Sequence, residues 1–127
     1  MRLAIYRPLT MTSDPDCLFC KIIEGDVPAN VVFRNEQVTA FRDINPQMPT
    51  HVLVVPNQHI PDTEALEPEH DAHVGVMLRA ARDVAAQEGL SERGYRLVFN
   101  TGPDAQNSVP HLHLHLLGGR GMGWPPG

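Results

Sequence analysis

The sequence predicts an α+β domain: a mainly antiparallel sheet with one long and one short helix. Three observations carry this. Short β-rich runs at 31–34, 37–43, 51–55, 95–100 and 111–117 outnumber the helical patterns. One long stretch, about 68–88, repeats apolar residues at three- and four-residue steps. The 127 residues are 42 % apolar and 20 % charged, which suits one domain with its own core.

In chain order, residues 17–24 read as a short helix, with Leu18, Phe19, Ile22 and Ile23 on one side. Asp14 or Asp16 is placed to cap its start, and Gly25 to take the left-handed position after its end. The runs 31–34 and 37–43 form a hairpin around Asn35-Glu36. Within the second, Val38, Ala40 and Arg42 face one way, and Thr39, Phe41 and Asp43 the other. Pro46 and Pro49 keep the next stretch irregular. His51 to Val55 then reads as an interior strand that Pro56 ends. Val74, Met77, Leu78, Ala81, Val84 and Ala85 mark the long helix, which Gly89 closes. A strand at 95–100 precedes a turn region, 101–108, rich in Gly, Pro, Asp and Asn. Residues 1–11 are expected to be a flexible extension and 12–127 the domain.

Charge and composition exclude some functions. Ten basic against fifteen acidic side chains give −5, so no broad basic surface for nucleic acid is expected. No apolar run reaches the ~18–20 residues of a membrane span. Arg2 and Arg7 break up any leader-like stretch, so a cytoplasmic chain with its two cysteines reduced is expected.

The segment His111-Leu112-His113-Leu114-His115-Leu116-Leu117 carries the chemistry. Strict alternation puts three imidazoles on one strand face, about 6.6 Å apart along it. Neutral imidazole is a nucleophile toward phosphorus near neutral pH, and flanking rings can orient it or steady phosphoryl oxygens. The loop before the strand, Gln106 to Val109, offers donors to a phosphate. A histidine-rich wet sheet face is the plain alternative.

This segment resembles the histidine triad (HIT) motif, His-φ-His-φ-His-φ-φ with φ apolar. The likeness extends through Leu18-Phe19-Cys20-Lys21-Ile22-Ile23, Ala40-Phe41-Arg42-Asp43-Ile44, Pro49-Thr50-His51 and the Trp124-Pro125-Pro126-Gly127 tail, all similar to the Hint branch. The resemblance implies a HIT-like fold and a homodimeric purine nucleoside phosphoramidase that cleaves the P–N bond of adenosine 5′-phosphoramidates. His113 would be the nucleophile, and His115 would hydrogen-bond the phosphate or leaving group. His51 and His111 would form a relay orienting His113, and Asn100 and Ser108 would flank the phosphate. Phe19, Ile22, Phe41 and Ile44 would make the base slot, and Asp43 would bind ribose. Read as residues alone, Phe19, Ile22 and Ile44 are equally core positions.

The phosphate loop departs from the family pattern. Gln106-Asn107-Ser108 stands where Gly-Gln and then Ser or Thr is usual, putting a side chain where a positive φ was wanted and shortening an amide.

Cys17 and Cys20 form a C-x-x-C pair, which needs two more ligands for a structural zinc. The resemblance supplies His59 and His111. Two reduced core thiols or a redox pair are the alternatives, and the chemistry itself requires no cofactor. The resemblance also places the Trp124 tail near a partner's site. A dinucleoside polyphosphate hydrolase or nucleotidyl transferase, and a nucleotide-binding interaction protein, remain competing functions.

Overall fold

The computed structural model describes residues 13–127. The expected extension at 1–11 lies outside them. Helix α1 spans Leu18–Glu24 and α2 spans Asp71–Gln87. Strands β1 (Val31–Arg34), β2 (Val38–Arg42), β3 (Thr50–Pro56), β4 (Tyr95–Phe99) and β5 (Leu114–Gly118) form one antiparallel sheet in the order β1-β2-β3-β5-β4. This is the expected α+β architecture.

Strand alternation divides the core into two halves. Val38, Ala40, Val52, Val54, Leu114 and Leu116 point to α2, where Met77, Ala80, Ala81, Val84 and Ala85 meet them. Each fully buried Val, Leu or Met there contributes about 1.5–3 kcal/mol. Phe41, Leu53 and Val55 point the other way and pack with Cys17, Phe19, Cys20 and Ile22 of the α1 region. β3 is buried along its whole length, as an interior strand must be. Its pairing with β5 aligns His51 with Leu117 and Leu53 with His115. That register brings His51 and His115 to the same region of the α1 face.

Several local expectations are corrected. Cys17, not Asp14 or Asp16, caps α1: its Sγ accepts from the Cys20 amide at 3.4 Å. Asp14 is occupied instead in a tight turn, accepting the Asp16 N–H. Gly25 does take the left-handed position, with φ +86°. The long helix begins three residues later than expected, because Pro68–His70 forms a separate 3-10 turn with its own capping box. Leu78 is 42 % exposed, since the buried stripe of α2 runs through 77, 80, 81, 84 and 85. Pairing of β5 begins at Leu114, not His111. Ahead of it, Leu112 N–H donates to the Ile60 carbonyl.

At the sheet end nearest the α2 C-terminus, Arg42 forms a two-pronged ion pair with Glu88 at 3.0 and 2.9 Å. It faces the same way as Val38 and Ala40, as expected, and ties β2 to the end of α2. Among the described residues, no helix is long and apolar enough to cross a membrane.

Candidate active site and metal centre

Each of the three motif histidines has its proton placed by a main-chain group or by a neighbour that one holds. The His113 Nδ1–H donates to the carbonyl of His111 at 2.7 Å. Its Nε2 therefore keeps the lone pair, as a nucleophile requires. Phe19 stands edge-on to this ring at 5.2 Å.

The proton on His115 is set two steps away. The Gln47 amide donates to His51 Nδ1 at 3.0 Å, so the neutral His51 carries its proton on Nε2. That N–H donates to His115 Nδ1 at 2.9 Å, which leaves His115 with its own proton on Nε2. Asn100 Nδ2 lies 3.4 Å from this Nε2. With the ring proton there, set by the shorter His51 bond, the Asn100 amide meets it properly when turned to present its carbonyl oxygen as acceptor. His115 is thus a fixed donor, 5.0 Å centroid to centroid from the His113 ring. Burial, then the neighbouring His113 and His51, push its pKa down to about 4, so it is neutral at pH 7. Burial also lowers the pKa of His51, against the pull of Asp43.

The expected relay from His51 and His111 to His113 takes a different form. His51 pairs with His115, and His111 serves His113 through its carbonyl rather than its ring. The His111 ring is fully buried and donates from Nε2 to the Pro56 carbonyl at 2.9 Å. Its Nδ1 lone pair faces Cys17 Sγ at 3.2 Å, Cys20 Sγ at 3.6 Å and His59 Nδ1 at 3.2 Å. Cys20 Sγ lies 3.4 Å from His59 Nδ1.

These spacings test a metal. Zinc bonds of about 2.3 Å to sulfur and about 2.0–2.1 Å to nitrogen give tetrahedral edges of about 3.6 Å (N–S) and about 3.4 Å (N–N). The four sequence-identified ligands already stand close to those edges, and their donor set suits zinc. Burial raises the Cys17 thiol pKa in the metal-free chain, so loading the site would release protons. Asp43, His51 and His115 form a second group with metal-ligand spacing. Its chemistry does not fit, because His51 Nε2 carries the proton that a ligand atom must lack.

A cleft of about 290 Å³ opens against His113 and His115. Phe19, Ile22 and Phe41 form its apolar wall, and Phe19 and Phe41 meet edge to face at 5.4 Å. Asp43 and Ser108 are polar residues of its lining, while Val109 packs against the apolar cluster. Ile44 also lines it but is 96 % exposed, so it belongs to the rim and not to the core. A second cavity, of about 670 Å³, lies beyond His115 and is bordered by His51, Asn100, Asp104, Gln106 and Ser108. Gly127 reaches this second cavity of its own chain, while Trp124 is 83 % exposed.

Gln106 adopts φ +60°, the left-handed backbone that the usual glycine would take without strain. Asn107 borders neither cavity, and its Oδ1 is buried without a hydrogen-bond partner. Sequence reasoning missed the Gln47 amide and the Pro56 carbonyl, because main-chain groups carry no side-chain signature. It also missed Leu53, whose place on the cleft side follows from strand alternation alone.

The HIT domain family model matches residues 24–122. The purine nucleoside phosphoramidase of Escherichia coli K12 is 45 % identical over 108 residues, 85 % of this chain and 91 % of that one. A 14 kDa zinc-binding protein of Zea mays is 48 % identical over 121 residues, 94 % of each chain. Among solved structures, a HIT family hydrolase from Legionella pneumophila Philadelphia 1 superposes with a TM-score of 0.86 at 50 % identity. It covers 88 % of this chain and 100 % of that one.

Proposed function

The chain belongs to the histidine triad family, and from that premise we propose that it is a purine nucleoside phosphoramidase of the Hint branch. The observation that carries this reading is the proton placement on His113. Its Nδ1–H is held by the His111 carbonyl, which leaves an Nε2 lone pair beside a nucleoside-sized cleft.

In this reading the purine lies on Phe19, Ile22 and Phe41 under the Ile44 rim, and the ribose hydroxyls donate to Asp43. His113 Nε2 attacks the α-phosphorus. A P–Nε2 bond forms and the P–N bond breaks; the amine departs with its electron pair and takes a proton from solvent, leaving the nucleotidyl-imidazole cationic with its Nδ1–H still on the His111 carbonyl. His115 Nε2–H, with Ser108 and Asn100 near it, steadies the phosphoryl oxygens or leaving nitrogen. Water then attacks the phosphorus and gives its proton to solvent; the P–Nε2 pair returns to the ring, which releases adenosine 5′-monophosphate and restores neutral His113. The tautomer chain makes His115 a hydrogen-bond donor: full loss of its proton would leave an imidazolate.

Cys17, Cys20, His59 and His111 would hold a zinc ion that cross-links α1 to the motif. Zinc supplies a rigid cross-link there, and the bond-breaking steps use side chains alone. Two reduced thiols at this site suit a cytoplasmic setting. A homodimer fits the half-buried β4 at the sheet edge, and Trp124, exposed in the single chain, is suited to a partner's surface.

The second cavity speaks against a dinucleoside polyphosphate as substrate. Asp43 and Asp104 border it, with no lysine or arginine among the described residues that line it, so it suits a neutral or cationic amine better than a phosphate chain. Hydrolysis of adenosine 5′-phosphoramidate by the wild type and by His113→Ala tests the proposal. The wild type should turn over and accumulate a trapped nucleotidyl adduct, with the variant slower by orders of magnitude and adduct-free. An active His113→Ala enzyme would refute the nucleophile. A wild type that prefers diadenosine polyphosphate would refute the substrate.

A further inference from the structure

Asp43 lines the cleft beside the His51–His115 pair. Its Oδ1 accepts the Asn45 amide at 2.8 Å, and its Oδ2 lies 3.4 Å from His51 Nε2. The same Nε2 is 2.9 Å from His115 Nδ1. Since Nδ1 of His51 is taken by the Gln47 amide, the pair has one N–H; it is hydrogen-bonded to His115, with the charged carboxylate 3.4 Å away as a competing acceptor. The carboxylate side chain is 21 % exposed and opens onto both cavities, so a bound molecule can reach it.

We propose that Asp43 is a positioning residue as well as a sugar ligand: ribose hydroxyls that donate to Asp43 Oδ2 occupy the carboxylate, so that it no longer competes for the His51 N–H, and the His51–His115 hydrogen bond tightens. The nucleoside then sharpens the aim of the His115 Nε2–H at the phosphoryl group. Binding energy from the sugar, remote from the reacting bond, is thereby expressed in the chemical step. No proton changes owner. The His51 N–H keeps His115 as its acceptor and loses a competitor, while the carboxylate lone pairs go to the hydroxyls.

The idea rests on the phosphoramidase reading, so the test separates the two. Histidine-ring 15N NMR of the full chain, at neutral pH, is recorded with adenosine 5′-monophosphate and with its 2′,3′-dideoxy analogue. The through-hydrogen-bond coupling between His51 Nε2 and His115 Nδ1 should grow with the ribonucleotide and stay at its free value with the analogue. In kinetics at saturation, the dideoxy phosphoramidate should lose kcat by roughly five- to tenfold as well as gaining KM. Asp43→Asn keeps the shape, removes the charge, and should bring the two kcat values together.

An unchanged coupling with bound ribonucleotide, or a dideoxy substrate altered in KM alone, would overturn the positioning role while leaving the phosphoramidase reading intact. Failure of adenosine 5′-monophosphate to bind at all would overturn both.

Discussion

Replacing His111 by alanine separates what its ring does for the fold from what it does for a metal. In the metal-free chain the ring is fully buried and its Nε2–H satisfies the Pro56 carbonyl at 2.9 Å. Its removal leaves that carbonyl without this donor, at a cost of about 1–3 kcal/mol. With metal the arithmetic changes. Free zinc held at about a thousand times its dissociation constant should stabilise the wild type by about 4 kcal/mol. His111→Ala retains Cys17, Cys20 and His59, one ligand short of a closed tetrahedron, and most of that increment should vanish. The assay is urea unfolding at neutral pH, with chelator and with buffered zinc, on the wild type, His111→Ala and Leu114→Ala. The Leu114 variant controls for general damage. It deletes a buried side chain on the opposite face of the sheet, at about 2–5 kcal/mol, and should keep the whole zinc increment. An undiminished increment in His111→Ala, or none in the wild type, would refute the tetrahedral reading.

Acid should weaken the fold through His115 and His51. His115 has a folded pKa near 4 against about 6.5 unfolded, so its contribution is complete above about pH 6.5 and declines toward pH 4 as the unfolded chain takes up the proton. Urea midpoints measured down that range should fall less steeply for His115→Asn, and parallel slopes would contradict the assignment. Arg42 holds the Glu88 carboxyl below its usual pKa, which makes the pair's contribution present at neutral pH and lost as pH falls through the depressed value. Because the two side chains are 38 % and 20 % exposed, Glu88→Gln should cost at most about 1 kcal/mol at pH 7 and nothing measurable in strong acid. Gly119→Ala should destabilise more than Gly118→Ala, as read by thermal unfolding. At Gly119 φ is +105° and an added Cβ would sit 2.7 Å from the Pro49 ring, whereas at Gly118 the obstacle is the movable end of Leu90.

The parts legible in the sequence are those governed by period. Alternation in 111–117 gave the strand and its apolar face, and it separated Val38 and Ala40 from Phe41, which proved to be the division between the two core halves. The helical step placed Met77, Ala81, Val84 and Ala85 correctly but admitted Leu78, because a repeat of three and four fits two adjoining stripes equally well. Alternation also failed within the motif: it assigned all three rings one shared task, while His111 turns to the cysteines. Nothing in the residues 17–20 alone revealed that a thiol would cap the helix it opens. The four cluster residues became a set only through family resemblance, since they lie up to 94 positions apart. The left-handed backbone at Gln106 was foreseeable from a glycine-favouring position filled by another residue.

The protonation pattern of the motif is anchored in atoms that mutation rarely reaches. The Gln47 amide, the Pro56 carbonyl and the His111 carbonyl belong to the peptide chain, so exchanging the side chains at 47 or 56 leaves the amide and the carbonyl in place. Proline at 47 is the exception, because it alone removes the N–H. The surrounding loop can therefore drift in sequence without retuning the imidazoles. Gln106 and Asn107 fit that latitude, since neither side chain sets the position of any proton on the three motif imidazoles.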